Sequence, residues 1–306
     1  MRLLIDHRYD DLDALRQSVN GWDLDFRLIG GSGLAARIRE LASPDFCIGY
    51  ARIQSKIHQM GSTPAGFRTF GIPANTCGDF WWRGFQVSNQ HLLIFPDSNE
   101  LDSATHANFE IYSFSVKQSE LERFASGLDL NPLPSRAQVL QPDRATMREL
   151  RQAARLTLFS PSPDQRHLAA KTLAKRLAFA ASIAEERSAP RPRQRDMAIR
   201  RVVAFLHDAP KSQLAMTQLC EVARVSERTL QYAFNERYAM SPYTFAKRWR
   251  LNSARRALLE SERSDHCVAE IALRHGFENP SLFTSSYKRL FSELPSETLA
   301  RCRAPE

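Results

Sequence analysis

The sequence predicts an α+β chain of two domains: a strand-rich N-terminal domain with trailing helices, then an all-α domain built on two helix-turn-helix units. Three observations predict it. Short strand-like runs fill the stretch from Asp23 to Val116, a Pro- and Arg-rich break occupies residues 188–196, and beyond that break the sequence repeats itself at offsets of 52 and 53 residues. A chain of 306 residues is long for one domain and comfortable for two. The expected boundaries are 1–187, a linker at 188–196, and 197–303.

The runs DFRLI, FCIGYARI, FRTFGI, FWWRGFQV, HLLIF and FEIYSFSV are bounded by turn-formers such as Gly30-Gly31, Ser43-Pro44-Asp45, Gly61-Ser62-Thr63-Pro64 and Pro96-Asp97-Ser98-Asn99. Strands at this spacing indicate a sandwich or a barrel. Gln118–Ser126, Arg144–Phe159 and Asp164–Glu186 follow as helices, the last carrying apolar Leu168, Leu173, Leu177 and Ile183. That third helix suits either packing on the barrel or pairing with its copy in a homodimer. SAPRPRQRD at 188–196 reads as the linker.

In the repeat, Leu219, Cys220 and Val225 match Ile271, Ala272 and Phe277 at an offset of 52 residues. Leu230, Phe234, Tyr238 and Pro242 match Phe283, Tyr287, Phe291 and Pro295 at 53, so the second turn holds one extra residue. Each half gives a short helix (Thr217–Arg224, Val268–His275), a turn, and a second helix begun by a capping Ser226 or Asn279. The aromatic positions recur every four residues and face inward. Gly276 suits a positive φ at the second turn. Between the halves, Pro242–Ser261 reads as a stiff helix carrying Lys247, Arg248, Arg250, Arg255 and Arg256.

Charge agrees with this division. Residues 1–186 carry 21 Lys and Arg against 21 Asp and Glu, so the net +8 lies entirely in the last 120 residues. A positive field confined to one domain indicates an anionic partner or a merely soluble basic surface. The five cysteines form no C-x-x-C pair and read as reduced thiols. The start, MRLLIDHRYDDLDALRQ, has acidic residues where a signal peptide needs an apolar stretch, and no apolar run approaches the ~20 residues of a membrane span. The expected compartment is the cytoplasm, without membrane association. No Ser-His-Asp set, P-loop or dinucleotide fingerprint is present, so no enzyme is expected.

The segment VAEIALRHGFENPSLFTSSYKRLFSELPSE resembles the signature of the AraC/XylS regulators through Ile271-Ala272, Gly276-Phe277, Phe283, Tyr287-Lys288, Phe291 and Pro295, and RLNSARRALL resembles that family's connecting helix. The resemblance covers roughly 197–303. The sequence departs from the family at Glu293, where Gly is usual, and at Leu299, near a usual aromatic. SERTLQYAFNERY, RLNSARRAL and Phe70–Pro73 are similar to regulators of ethanolamine utilisation within that family. The resemblance implies a cupin-like N-terminal β-barrel sensing a small-molecule inducer, with double-stranded DNA and RNA polymerase as partners and activation as the outcome. It implies no cofactor. Control by a protein partner, or a cupin metalloenzyme fused to a DNA-binding module, are the alternatives.

The second helix of such a unit enters the major groove with its N-terminal residues on base edges. In the first unit the outward residues are Ser226, Glu227, Arg228, Gln231, Tyr232 and Asn235. Arg suits guanine and Gln or Asn suits adenine, so Arg228 and Gln231 are the expected base readers. The second unit offers Asn279, Ser281, Leu282, Ser285 and Ser286, with Lys288 and Arg289 on phosphates. In the N-terminal domain, alternation sends Trp81 and Arg83 to one face of a strand and Trp82 to the other, and one set lines a ligand pocket or packs the barrel. His58, His91 and His106 are isolated, with no H-x-H, and are expected to bind no metal.

Overall fold

The computed structural model describes residues 1–303 except 20, 97–99, 188–193, 209–214 and 262–266. The chain divides into two units, Met1–Phe26 with Ala35–Ala189, and Arg27–Leu34 with Pro190–Glu306.

The first unit opens with β1 (Arg2–Tyr9) and α1 (Leu12–Ser18), the latter started by Asp11, whose carboxylate accepts the N–H groups of Asp13 and Ala14. Strands β2 (Asp23–Gly30, of which the part from Arg27 onward falls in the second unit), β3 (Ala36–Ala42), β4 (Phe46–Ile53), β5 (Lys56–Ser62), β6 (Phe67–Pro73), β7 (Phe80–Trp82), β8 (Phe85–Val87), β9 (Leu92–Ile94), β10 (Glu100–Ala104) and β11 (Phe109–Lys117) follow. Then come α2 (Gln118–Gly127), β12 (Gln138–Gln141), α3 (Arg144–Phe159), α4 (Pro163–Ile183) and β13 (Glu185–Glu186). They form a sheet in the order β1-β3-β4-β11-β6-β9-β12-β13 and a second in the order β2-β5-β10-β7-β8.

Period-2 alternation decides what each face of the larger sheet meets. Leu41, Ile48, Phe70, Ile72 and Phe114 point to one side, packing against Leu121 of α2, Met147 and Leu150 of α3 and Leu173 and Leu177 of α4. The residues between them face the other way. Leu173 and Leu177 are fully buried, while Leu168 and Ile183 of the same helix are exposed, so the apolar positions of α4 divide between two faces. Alternate residues of the smaller sheet, including Gln59, Ser103 and Trp82, line a cavity shared with the second face of the larger sheet.

The linker expected at 188–196 lies outside the described residues as far as 193, and its last three residues, Gln194–Asp196, begin a helix instead. The expected turn at 97–99 also lies outside them. The second unit contains α5 (Gln194–Asp208), α6 (Met216–Ala223), α7 (Glu227–Tyr238), α8 (Pro242–Leu259), α9 (Val268–Arg274), α10 (Pro280–Phe291) and α11 (Pro295–Arg303). Helix α8 packs against α5, α6 and α7 and also against α9, α10 and α11. Its Trp249 is fully buried and donates its indole N–H to the Leu206 carbonyl at 3.1 Å. Asn252 of α8 holds the Leu28 backbone in both directions, each hydrogen bond 2.9 Å long, which ties Arg27–Leu34 into this unit. No helix among the described residues is long and apolar enough to cross a membrane.

Candidate functional site

Helices α7 and α10 are built alike. Ser226 precedes α7 in an extended conformation, and its Oγ accepts the Thr229 N–H at 3.3 Å. Asn279 precedes α10, and its Oδ1 accepts the N–H groups of Ser281 and Leu282, each at 3.0 Å. The turn before α10 uses Gly276 at φ 78°, whereas the turn before α7 places Arg224 at φ 56°. Left-handed backbone is accessible to Gly at no steric cost, so the first turn carries strain that the second avoids.

The inner faces carry matched aromatic ladders. Phe234 and Tyr238 lie 5.5 Å apart by ring centroids, and both meet Phe245 of α8, at 5.2 and 4.4 Å. Phe283 meets Phe277 at 5.0 Å and Tyr287 at 5.6 Å, and Tyr287 meets Phe291 at 4.6 Å. Burial of these rings fixes the rotation of each helix about its axis and so decides which residues face outward.

On α7 the outward set is Glu227, Arg228, Tyr232 and Asn235, all exposed beside the exposed cap Ser226, with Gln231 half-buried. The Arg228 guanidinium lies 5.7 Å from the Tyr232 ring centroid, and Arg195 of α5 lies 5.7 Å from the same ring. On α10, Ser281, Leu282, Ser285, Lys288 and Arg289 are exposed, as is the cap Asn279. Leu282 is 61% exposed. Ser286 departs from its expected place: it is 5% exposed and belongs to the buried side with Tyr287.

The five cations of α8 also separate. Arg250 and Arg255 are buried, at 1% and 3% exposure, so they do not contribute to a surface charge. Arg255 donates to Glu293, whose carboxylate also accepts from Thr298 Oγ1 at 2.6 Å and from Arg301 at 2.7 Å. Glu293 therefore organises the end of the second unit, while the left-handed residue of that turn is Ser292 at φ 63°. Lys247 and Arg248 are half-buried; burial, and then the neighbouring charge of Arg289, holds both below their ordinary pKa. Three cations from α8 and α10 thus cluster together.

The first unit encloses a cavity of about 100 Å³ between its sheets. Trp22, Phe26, Phe80, Trp82, Phe95 and Phe109 supply apolar wall, and Glu40, Gln59, Ser103 and Ser113 supply polar wall. Register explains the polar groups. Glu40 pairs with Gly49, Gly49 with Ser113, and Ser113 with Gly71, giving one row across the larger sheet. Gln59 pairs with Ser103 and Ser103 with Trp82 in the smaller one. Among the described residues Ser103 Oγ and the Trp82 indole N–H have no hydrogen-bond partner, though both residues are at least 98% buried. Burial pushes the Glu40 carboxyl up to about 7, against a hydrogen bond from Cys47 Sγ at 3.3 Å that lowers it.

Of the expected ligand residues, Trp82 lines this cavity, whereas Trp81 and Arg83 are not among its walls. Arg83 and Gly84, at φ 49° and 86°, form the two-residue turn between β7 and β8, which carries Arg83 out to Glu100 at 3.1 Å. Glu40, Gln59 and Ser103 were not singled out from sequence, because a polar residue in a strand ordinarily marks the solvent face. Among the described residues no group of three or more His, Cys, Asp or Glu is placed to hold a metal ion. His58 is buried and bonded to Asp102 at 2.9 Å, and the His91 ring accepts the Ser88 N–H at 2.9 Å.

A helix-turn-helix domain family model matches residues 219–301. The chain is 32% identical over 103 residues to the XylDLEGF operon transcriptional activator of Pseudomonas putida, covering 34% of this chain and 32% of that one. It is 34% identical over 97 residues to the regulatory protein HrpB of Ralstonia nicotianae, covering 32% of this chain and 20% of that one. The matched part thus spans about a third or less of these curated relatives. Among solved structures, a probable AraC family transcriptional regulator from Rhodopseudomonas palustris is 33% identical with a TM-score of 0.33, covering 35% of this chain and 98% of that one.

Proposed function

We propose that the chain is a regulator of the AraC/XylS type, as the similarity of its C-terminal region supports, and acts as a sequence-specific DNA-binding activator governed by a small molecule in its N-terminal domain. The observation that carries the reading is the pair α7 and α10. Each is capped, each is fixed in rotation by a buried aromatic ladder, and each leaves its opposite face exposed. On α7, Arg228 and Gln231 read bases and Tyr232 meets a thymine methyl or a phosphate, with Glu227 and Asn235 flanking them. On α10, Ser281, Leu282 and Ser285 supply apolar and shape contacts, while Lys288 and Arg289 hold phosphates. The capping residues Ser226 and Asn279 begin the two groove-reading segments. Helix α8 sets their separation so that both meet successive major grooves of one duplex.

The first unit is a cupin-like sensor in this reading. Its cavity is on the scale of the roughly 150 Å³ that admits a benzene ring, and the unpartnered groups of Trp82 and Ser103 are the donors an inducer would satisfy. RNA polymerase is the partner of an activator working in the cytoplasm. Leu168, Phe179 and Ile183, all more than half exposed on α4, supply apolar surface for a second copy of the chain. Genome-wide mapping of bound DNA tests the proposal: enrichment of a recurrent site upstream of genes whose transcription falls on deletion supports it, and the absence of any enriched site overturns it.

A further inference from the structure

Helix α3 carries a second candidate site, unrelated to the cavity or to α7 and α10. Arg144, Arg148, Arg151 and Arg155 stand at i, i+4, i+7 and i+11, which places four guanidinium groups on one stripe over about 16 Å of helix. They line a groove of about 630 Å³ together with Tyr112, Asn75, Gln90 and Gln152, and no carboxylate is among its walls. Arg151 is built into the wall: its Nε donates to the Pro73 carbonyl at 2.9 Å and its Nη2 to the Asn89 carbonyl. Arg144, Arg148 and Arg155 are exposed and make no ion pair among the described residues. Glu149, on another side of the helix, is paired instead with Arg176 at 2.7 Å.

Like charges one turn apart on a helix repel and destabilise it. Four of them converging on a concavity with no carboxylate among its walls make a site complementary to an anion of high charge. The guanidinium fork matches phosphate oxygens two at a time. A groove of this size falls within the range of small-molecule sites, roughly 300–1,000 Å³. Beside the charges stand the half-buried Tyr112 ring, on which the Glu110 carboxylate and then Arg155 and Arg151 act electrostatically, and three side-chain amides. A ring to stack on and amides to hydrogen-bond suit the base of a nucleotide rather than a bare inorganic ion.

We propose that this groove binds a nucleotide or related organic anion carrying two or more phosphates, giving the chain a second small-molecule input. The test is calorimetric titration of the full chain at low ionic strength with ATP, GTP, sodium tripolyphosphate, sodium sulfate and a short duplex. ATP or GTP and tripolyphosphate are expected to bind one per chain, in competition, and far more tightly than sulfate. The Arg148→Ala/Arg155→Ala variant is expected to weaken them by about tenfold or more, with the Lys pair recovering part of the loss. Both side chains are exposed, so the variant's melting temperature should not fall, and duplex binding should be unchanged. Binding no tighter than sulfate overturns the proposal, as does binding indifferent to the variant. Loss of duplex binding in the variant without nucleotide binding in the wild type also overturns it, and reassigns the stripe to the DNA backbone.

Discussion

The guanidinium group of Arg228 lies 5.7 Å from the ring centroid of Tyr232, one turn further along α7, and both side chains are exposed. A cation held over an aromatic face is partly pre-ordered, so less rotamer freedom is lost when it meets a base edge. Arg228→Ala is expected to cost about 1–3 kcal/mol at the preferred site and to relax preference at one base pair. Ser285→Ala should leave preference nearly unchanged. Competition binding against single-base variants of the site checks both, and the reverse pattern would contradict the assignment.

Glu293 accepts from Arg255, whose side chain is 4% exposed, and from the more exposed Arg301. Removing one partner of a buried ion pair leaves the other charge stranded. Glu293→Ala should therefore destabilise the second unit by about 3 kcal/mol, whereas Arg301→Ala, at a side chain 46% exposed, should cost under about 1 kcal/mol. Chemical denaturation followed at the buried Trp249 would measure both.

Glu40 gives the first unit a pH-dependent stability. Its folded pKa is about 7 against an ordinary 4.5, because burial disfavours the carboxylate. Between those values the folded chain holds a proton that the unfolded chain releases, so stability falls as pH rises through that window and the whole penalty is present above it. Glu40→Gln is expected to be more stable than the wild type at pH 8, by on the order of 3 kcal/mol. The gap should close as the pH drops toward 4.5. Denaturation midpoints across that range check the sign, and a gap independent of pH would contradict it.

The second unit was the more legible from sequence, and the reason is physical. Aromatic residues at every fourth position, repeated after a fixed offset, can satisfy burial only as paired helices, and Ser226 and Asn279 mark where those helices begin. Burial of polar residues was not legible in the same way. Arg250 and Arg255 count among five cations of one helix with no face assigned, and Ser286 reads as groove-facing, because sequence periodicity in a helix touched on several sides does not distinguish its faces. The aromatic cluster at residues 80–85 was visible, but only strand register put Trp82 beside Ser103 and turned Arg83 outward. Strand β1 went unread because six of its eight residues are exposed, which removes the alternation that marks a strand.

In the proposed function α7 and α10 read one duplex at once. Hydroxyl-radical and base-methylation footprinting of the full chain on a mapped site tests it most directly. The account predicts two protected major-groove segments on one face of the DNA, centred about 10 base pairs apart, with Arg228→Ala erasing one and leaving the other. A single protected segment, or two segments on opposite faces, would contradict it.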